Sequence, residues 1–185
     1  MDAARAAVVS FCIAAISYCA AANGHETRSP KRDELRVSPS EMIVTIEYQV
    51  PRGDLARALR AIFDRDKSGA LDEEETARLG RHLAREATAF LALAVDGKPA
   101  ALAVGEPVVD ARGPADEAIA IVVRATARVA LAGGAHALRF ADHHKDRRFP
   151  VPVRLLWEAG AVPKKAPREP FVDEKHALDL SFAIK

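Results

Sequence analysis

Cysteine is nearly absent from the 185-residue chain: its two copies, Cys12 and Cys19, both lie near the N-terminus. No cysteine follows Cys19, so disulfides, thiolate metal sites and cysteine nucleophiles are excluded from everything beyond it. Aromatic residues make up only 5% of the chain, with a single tryptophan, and the core must therefore be built from aliphatic and alanine side chains. Excess charge is lacking too. The 27 basic and 26 acidic residues leave +1, without the basic footprint by which nucleic-acid binders neutralise phosphate. No glycine-rich phosphate loop, no G-x-S-x-G elbow and no internal repeat is found, and we read no catalytic residue from the sequence. What remains is 49% hydrophobic and 29% charged, the proportions of a folded domain with a packed core.

The N-terminus holds one uncharged run. After Asp2 and Arg5, residues Ala6 to Ala22 carry no charge, and Asn23 to Glu26 then return the chain to water. This reads as a secretory signal peptide, residues 1–22, helical in its apolar part. Ala20 and Ala22 provide the small-x-small spacing for cleavage after Ala22, with Ala21 as the neighbouring choice. The run is shorter and richer in alanine than a span of about 20 apolar residues; retention as a membrane anchor is the alternative. Bulky Tyr18 disfavours lipid attachment at Cys19. The expected location is outside the cytoplasm, periplasmic or secreted, and both cysteines would leave with the signal.

Residues 23–40 are polar and are expected to form a flexible leader. From Glu41 to Val50, Met42, Val44, Ile46, Tyr48 and Val50 alternate with Ile43, Thr45, Glu47 and Gln49, the period of a strand with one buried face. The period then changes. Asp54 is placed to cap a helix whose Leu55, Leu59, Ile62 and Phe63 recur at helical spacing, and a second helix from about Asp72 carries Leu79 and Leu83. Beyond Ala87 strands return: Phe90 to Val95, the Asp96-Gly97 turn, Ala100 to Val109, the long alternation from Ile119 to Leu131, then strands around Leu138, Val151 to Trp157 and Leu178 to Ile184. Pro163 to Lys175 reads as a loop. Strands at this spacing predict an α+β protein, an immunoglobulin-like β-sandwich over residues 41–160 with a helical hairpin inserted at 54–87, followed by a loop and C-terminal strand at 161–185.

Between the two helices lies D-R-D-K-S-G-A-L-D-E-E-E, Asp64 to Glu75. A hard divalent cation such as Ca²⁺ takes six to eight oxygen ligands at about 2.3 to 2.6 Å, and a twelve-residue loop with donors at alternate positions wraps them around one point. Asp64, Asp66 and Ser68 would supply side-chain oxygens and Ala70 its carbonyl. Asp72 would act directly or through a water, and Glu75 would reach back with both carboxylate oxygens. Gly69 permits a left-handed turn in mid-loop, and Leu71 points into packing. This segment resembles the EF-hand family over Asp54 to about Ala87, and the resemblance implies Ca²⁺ in preference to Mg²⁺. Two departures from the family stand out. No second loop of this spacing occurs elsewhere, so Leu71 must pack against the adjoining sandwich or a second molecule. The fifth loop position is the neutral Ser68, with Arg65 and Lys67 between the ligands, which argues against extreme affinity.

The chain as a whole also resembles the exported β-rich domain that precedes the membrane part of hydrogenase and urease accessory proteins of the nickel or cobalt permease type. The likeness rests on Asp33 to Ser40, the acidic loop Asp64 to Glu75 and the strands after Phe90, in that order; transmembrane helices follow the domain in that family, and the sequence to Lys185 has none after its strands. Two functions are therefore expected: a non-catalytic calcium-binding module that contacts an extracytoplasmic or membrane protein, or a soluble metal-handling accessory of a permease. Asp142, His143, His144 and Asp146, with His136 six residues before them, would be the imidazole site of the second; adjacent histidines in a strand face opposite ways, which favours an exposed loop instead. Trp157 continues the apolar face of its strand and reads as core.

Overall fold

The computed structural model describes residues 31–143, 150–173 and 175–185. Among these residues, twelve strands and two helices follow one another as β1 (Lys31–Val37), β2 (Glu41–Val50), α1 (Asp54–Phe63), α2 (Glu73–Thr88), β3 (Leu91–Val95), β4 (Lys98–Pro99), β5 (Ala103–Val104), β6 (Val108–Asp110), β7 (Ile119–Arg128), β8 (Gly134–Asp142), β9 (Val151–Trp157), β10 (Ala161–Lys165), β11 (Phe171–Val172) and β12 (Leu178–Ile184). They make two sheets. A seven-stranded sheet runs β11-β9-β1-β2-β7-β5 with β6 also on β7, and a five-stranded sheet runs β10-β12-β8-β3-β4. Inward residues of both sheets, among them Leu35, Val44, Ile46 and Val123 from the first and Leu138, Phe140, Leu180 and Phe182 from the second, join in one buried cluster. The fold is thus a β-sandwich-like α+β structure, held by the interdigitated inner faces of its sheets.

Alternation explains the central strands. In β2, Met42, Val44, Ile46 and Val50 are buried, and in β7 Ile119, Ile121, Val123, Ala125 and Ala127 are buried while Arg124 and Arg128 face solvent. The two strands pair antiparallel over ten positions, from Glu41 opposite Arg128 to Val50 opposite Ile119. The Asp96-Gly97 turn between β3 and β4 takes positive φ at both residues, 51° and 73°, the conformation that tight hairpins demand.

Several expectations are corrected. Residues 31–37, assigned to the flexible leader, form β1, which pairs antiparallel with β2 and parallel with β9. The period-two pattern is present, but two of its four inward positions are the charged Lys31 and Asp33, so hydropathy alone hides it. The expected strand from Ala100 to Val109 is split into β5 and β6. Val104 lies opposite Ala125 and Val108 opposite Val122, so four steps on one strand match three on the other across Gly105, Glu106 and Pro107. A glycine and a proline interrupt the ladder, as in a bulge. The Pro163 to Lys175 segment holds the end of β10 and the whole of β11 instead of loop alone. Finally, Asp54 is not the cap of α1: Gly53 occupies that position with no side-chain hydrogen bond, and Asp54 in the first turn bonds Arg57 instead.

The helices α1 and α2 bridge the two sheets, since β2 belongs to the larger and β3 to the smaller. Helix α2 packs on β2, β6 and β7 through Leu79, Leu83, Ala84 and Ala87. A Cβ at Gly80 would overlap Val109 Cγ2, which is why a helix-weakening residue sits in its middle. Helix α1 buries a different face from the one its leucines suggest. Ala56 and Arg60 are buried, whereas Leu55 and Ile62 are 57% and 71% exposed. The Arg60 guanidinium donates to the carbonyls of Ala111, Ala115, Glu117 and Ala118, which rivets α1 to the loop before β7. Burial lowers its pKa, opposed by the nearby carboxylates of Glu117, Asp116 and Asp110.

Candidate metal centre

Helix α1 ends at Asp64, whose N–H closes the last turn on Arg60 O at 2.8 Å, and the chain then folds over its own carboxylates. Asp64 Oδ1 accepts from Ser68 N at 3.0 Å and Oδ2 from Gly69 N at 2.9 Å, while Asp66 Oδ1 accepts from Ser68 N at 2.9 Å. Such tight wrapping needs left-handed backbone: Lys67 has φ 59° and Gly69 φ 85°. The Ser68 hydroxyl, and then its N–H, favour the charged form of Asp66 and hold its pKa below the usual carboxylate value. Ser68 Oγ lies 2.8 Å from Ala70 O, the alternative acceptor for its one proton, so these two oxygens lie side by side.

The second half of the centre is the start of α2. Asp72 caps the helix through Glu75 N at 2.8 Å, and the Glu75 side chain returns to Asp72 N at 3.2 Å, a reciprocal capping box. Glu75 does more than cap. Its other oxygen accepts from Arg65 N at 2.7 Å, so a single carboxylate, only 2% exposed, joins both ends of the loop. Oxygens of Asp64, Asp66 and Glu75 lie within 4.8 Å of one another. Asp72 stands outside this group. Leu71 is half-buried and packs against the buried core cluster, which the helices and sheets share, and Phe63 meets His82 across the helices at 5.5 Å between ring centres.

The donors are all hard oxygens and three are carboxylates, so the set fits a divalent cation by its chemistry. Crowded like charges oppose one another, and a cation at their meeting point would relieve that repulsion. Of the six residues predicted as ligands, the structure brings together the carboxylates of Asp64, Asp66 and Glu75, places the Ser68 hydroxyl against the Ala70 carbonyl, and keeps Asp72 as a cap.

The histidine cluster does not assemble in the described part of the chain. Asp142 is buried and paired with Lys31 at 2.7 Å. His143 is exposed, and His144 and Asp146 lie outside the described residues. His136 is engaged elsewhere, with Nδ1 on Asp96 at 2.8 Å and Nε2 on Ala132 O at 2.9 Å, and these contacts raise its pKa. Among the described residues no other group of three histidine, cysteine, aspartate or glutamate side chains converges. Trp157 is half-buried against Phe182 at 5.9 Å, packed on the core as its position in the strand suggests. Sequence reasoning missed four buried charges, Lys31, Asp33, Arg60 and Asp142; the phase of Lys31 and Asp33 with Leu35 and Val37 was the available signal for the first two.

Comparison of the chain with family models, with curated proteins and with solved structures finds no match. Among the described residues no helix is long and apolar enough to cross a membrane, and the signal-like segment lies outside them.

Proposed function

We propose that this is an exported calcium-binding protein of the EF-hand type, in which one loop, Asp64 to Glu75, fastens a helical hairpin to an immunoglobulin-like sandwich acting as a non-catalytic binding or structural module. The observation that carries the reading is Glu75. A buried carboxylate at the twelfth position reaches back across the loop, and its oxygens sit with those of Asp64 and Asp66. Bound Ca²⁺ would supply a positive centre that these carboxylates, Ser68 Oγ and the Ala70 carbonyl can share. The protein's own part is to pre-set the loop: left-handed Lys67 and Gly69 turn the chain, Asp72 starts α2, and Leu71 ties the loop to the core.

Export is supported by the apolar N-terminal run and its alanine cleavage pattern, and extracellular modules of this kind work at Kd of about 10⁻⁴ to 10⁻³ M. Calorimetric titration with Ca²⁺, Mg²⁺ and Ni²⁺ tests the reading. One Ca²⁺ in that range, with weaker Mg²⁺, is the expected result. No Ca²⁺ heat would refute it, and preferential Ni²⁺ binding would replace it with the permease-accessory alternative. N-terminal sequencing of the extracytoplasmic protein should begin near Asn23; a chain there that still starts at Met1 would refute cleavage.

A further inference from the structure

Among the described residues, three charged side chains outside the acidic loop are fully buried together. Lys31, at the start of β1 in the larger sheet, and Asp142, at the end of β8 in the smaller sheet, meet at 2.7 Å, with side chains 0% and 1% exposed. The Lys31 nitrogen also donates to Ala87 O at the end of α2, at 2.6 Å. A third side chain, Asp33, is equally buried and places a carboxylate oxygen 3.9 Å from the same nitrogen. An amine, a carboxyl group and a second carboxylate able to relay a proton are thus held together inside a β-sandwich.

We propose that Lys31 and Asp142 form an intramolecular isopeptide bond that links the two sheets covalently, with Asp33 as the proton relay. Desolvation makes the charged ammonium and carboxylate expensive to keep, and condensation removes both charges. Lys31 first gives a proton to Asp33, which frees the nitrogen lone pair. The nitrogen attacks Asp142 Cγ, the Nζ–Cγ bond forms, and a Cγ–O bond breaks. Two of the three ammonium protons leave with that oxygen as water, one of them by way of Asp33, which ends in its starting state. The third proton stays on the amide nitrogen, where Ala87 O already accepts a hydrogen bond. No oxidant, reductant or other reactant is required. Fixing the partners in one place corresponds to an effective concentration of about 10⁵ to 10⁸ M in well-oriented intramolecular reactions, and a site closed to solvent disfavours hydrolysis. With no cysteine beyond Cys19, a disulfide cannot do this job for β1.

The test is mass spectrometry of the folded, purified full chain after denaturation. The expected chain is one water lighter than its sequence from its own N-terminus, and its tryptic map contains a branched pair of peptides joining Lys31 to Asp142. Lys31→Ala should restore the full mass. Asp142→Asn should lose ammonia and give the same branched peptide, a result that a mere ion pair cannot produce. Asp33→Asn should be isolated largely unlinked, with linkage slowed about 100-fold, the usual scale of a lost acid-base group. An unmodified mass for the folded wild type would overturn the proposal and leave a buried ion pair only. A lost water without the branched peptide, as from cyclisation at Asp96-Gly97, would overturn it equally. If the variants fail to fold, the wild-type peptide map alone decides.

Discussion

Replacing Glu75 by glutamine separates the hydrogen bonds that this carboxylate makes in the structure from the calcium ligation proposed for it. In the absence of calcium it accepts hydrogen bonds from Arg65 N and Asp72 N. Glutamine keeps one acceptor and presents an N–H₂ group to the other donor, so the apo variant should lose about 1.5 to 3 kcal/mol, the range for hydrogen bonds to a charged group. The calcium-dependent part is distinct. At free Ca²⁺ about ten times a Kd of ~10⁻⁴ M, linkage gives the wild type RT ln(1 + 10), roughly 1.4 kcal/mol. For a chain of this size that corresponds to about 3 to 6 °C in melting temperature. A hundredfold weaker site, the expected consequence of losing a charge and one oxygen, would retain less than ~0.1 kcal/mol of that increment. Each protein is therefore melted with chelator and with about 1 mM Ca²⁺, the upper working range of such modules, and only the two differences are compared, so that the capping loss cancels. Ser68→Ala should keep most of the wild-type increment, because its donor is neutral and replaceable by water. Equal loss in the two variants, or a wild type insensitive to Ca²⁺, would refute the assignment of the loop. Hydrogen exchange locates the effect: protection should rise from Asp54 to Thr88 and change little from Ile119 to Arg128, and an equal change in both would indicate a global transition instead.

Arg60→Met should destabilise the fold by about 3 kcal/mol or more in urea titrations, since several carbonyls of the 111–118 loop lose their donor at once; a neutral result would show that water replaces the guanidinium. Gly80→Ala should destabilise by about 1 kcal/mol despite alanine's better helix propensity, because overlap with Val109 outweighs a gain of up to ~1 kcal/mol, and a higher melting temperature would refute the close helix-sheet contact. The His136–Asp96 pair predicts a pH dependence. His136 is raised from 6.5 by the Asp96 hydrogen bond and then by the Ala132 carbonyl, so its contribution is complete below 6.5 and is lost as pH rises through the higher folded value. Asp96 is lowered from 3.8, first by the His136 hydrogen bond and next by Ala137 N–H, so its contribution is present above 3.8 and disappears as pH falls through the lower folded value. Stability from this pair should therefore peak between those two reference values, and His136→Gln should flatten the decline on the alkaline side; an unchanged profile would refute the coupling.

Local chemistry made much of the molecule legible without coordinates. The alternation of β2 and β7, the Asp96-Gly97 turn, the start of α2 near Asp72 and the acidic spacing from Asp64 to Glu75 depend on neighbours a few residues away, so their signals survive in one dimension. Tertiary structure alone decided what depends on distant partners. Lys31 and Asp33 read as leader because charge normally marks exposure, yet their phase matches Leu35 and Val37, and partners in β8 and at the end of α2 make their burial tolerable. Leu55 and Ile62 carry the periodicity of a buried helical face but remain exposed, because Arg60 finds four carbonyls in a loop more than fifty residues away and turns α1 toward it. Spacing marked Glu75 as a reaching residue, whereas its burial, with bonds to Arg65 N and Asp72 N, is seen only in the folded loop. Hydropathy records the average environment of a residue type; the actual environment of a buried charge is set by the groups that folding brings to it.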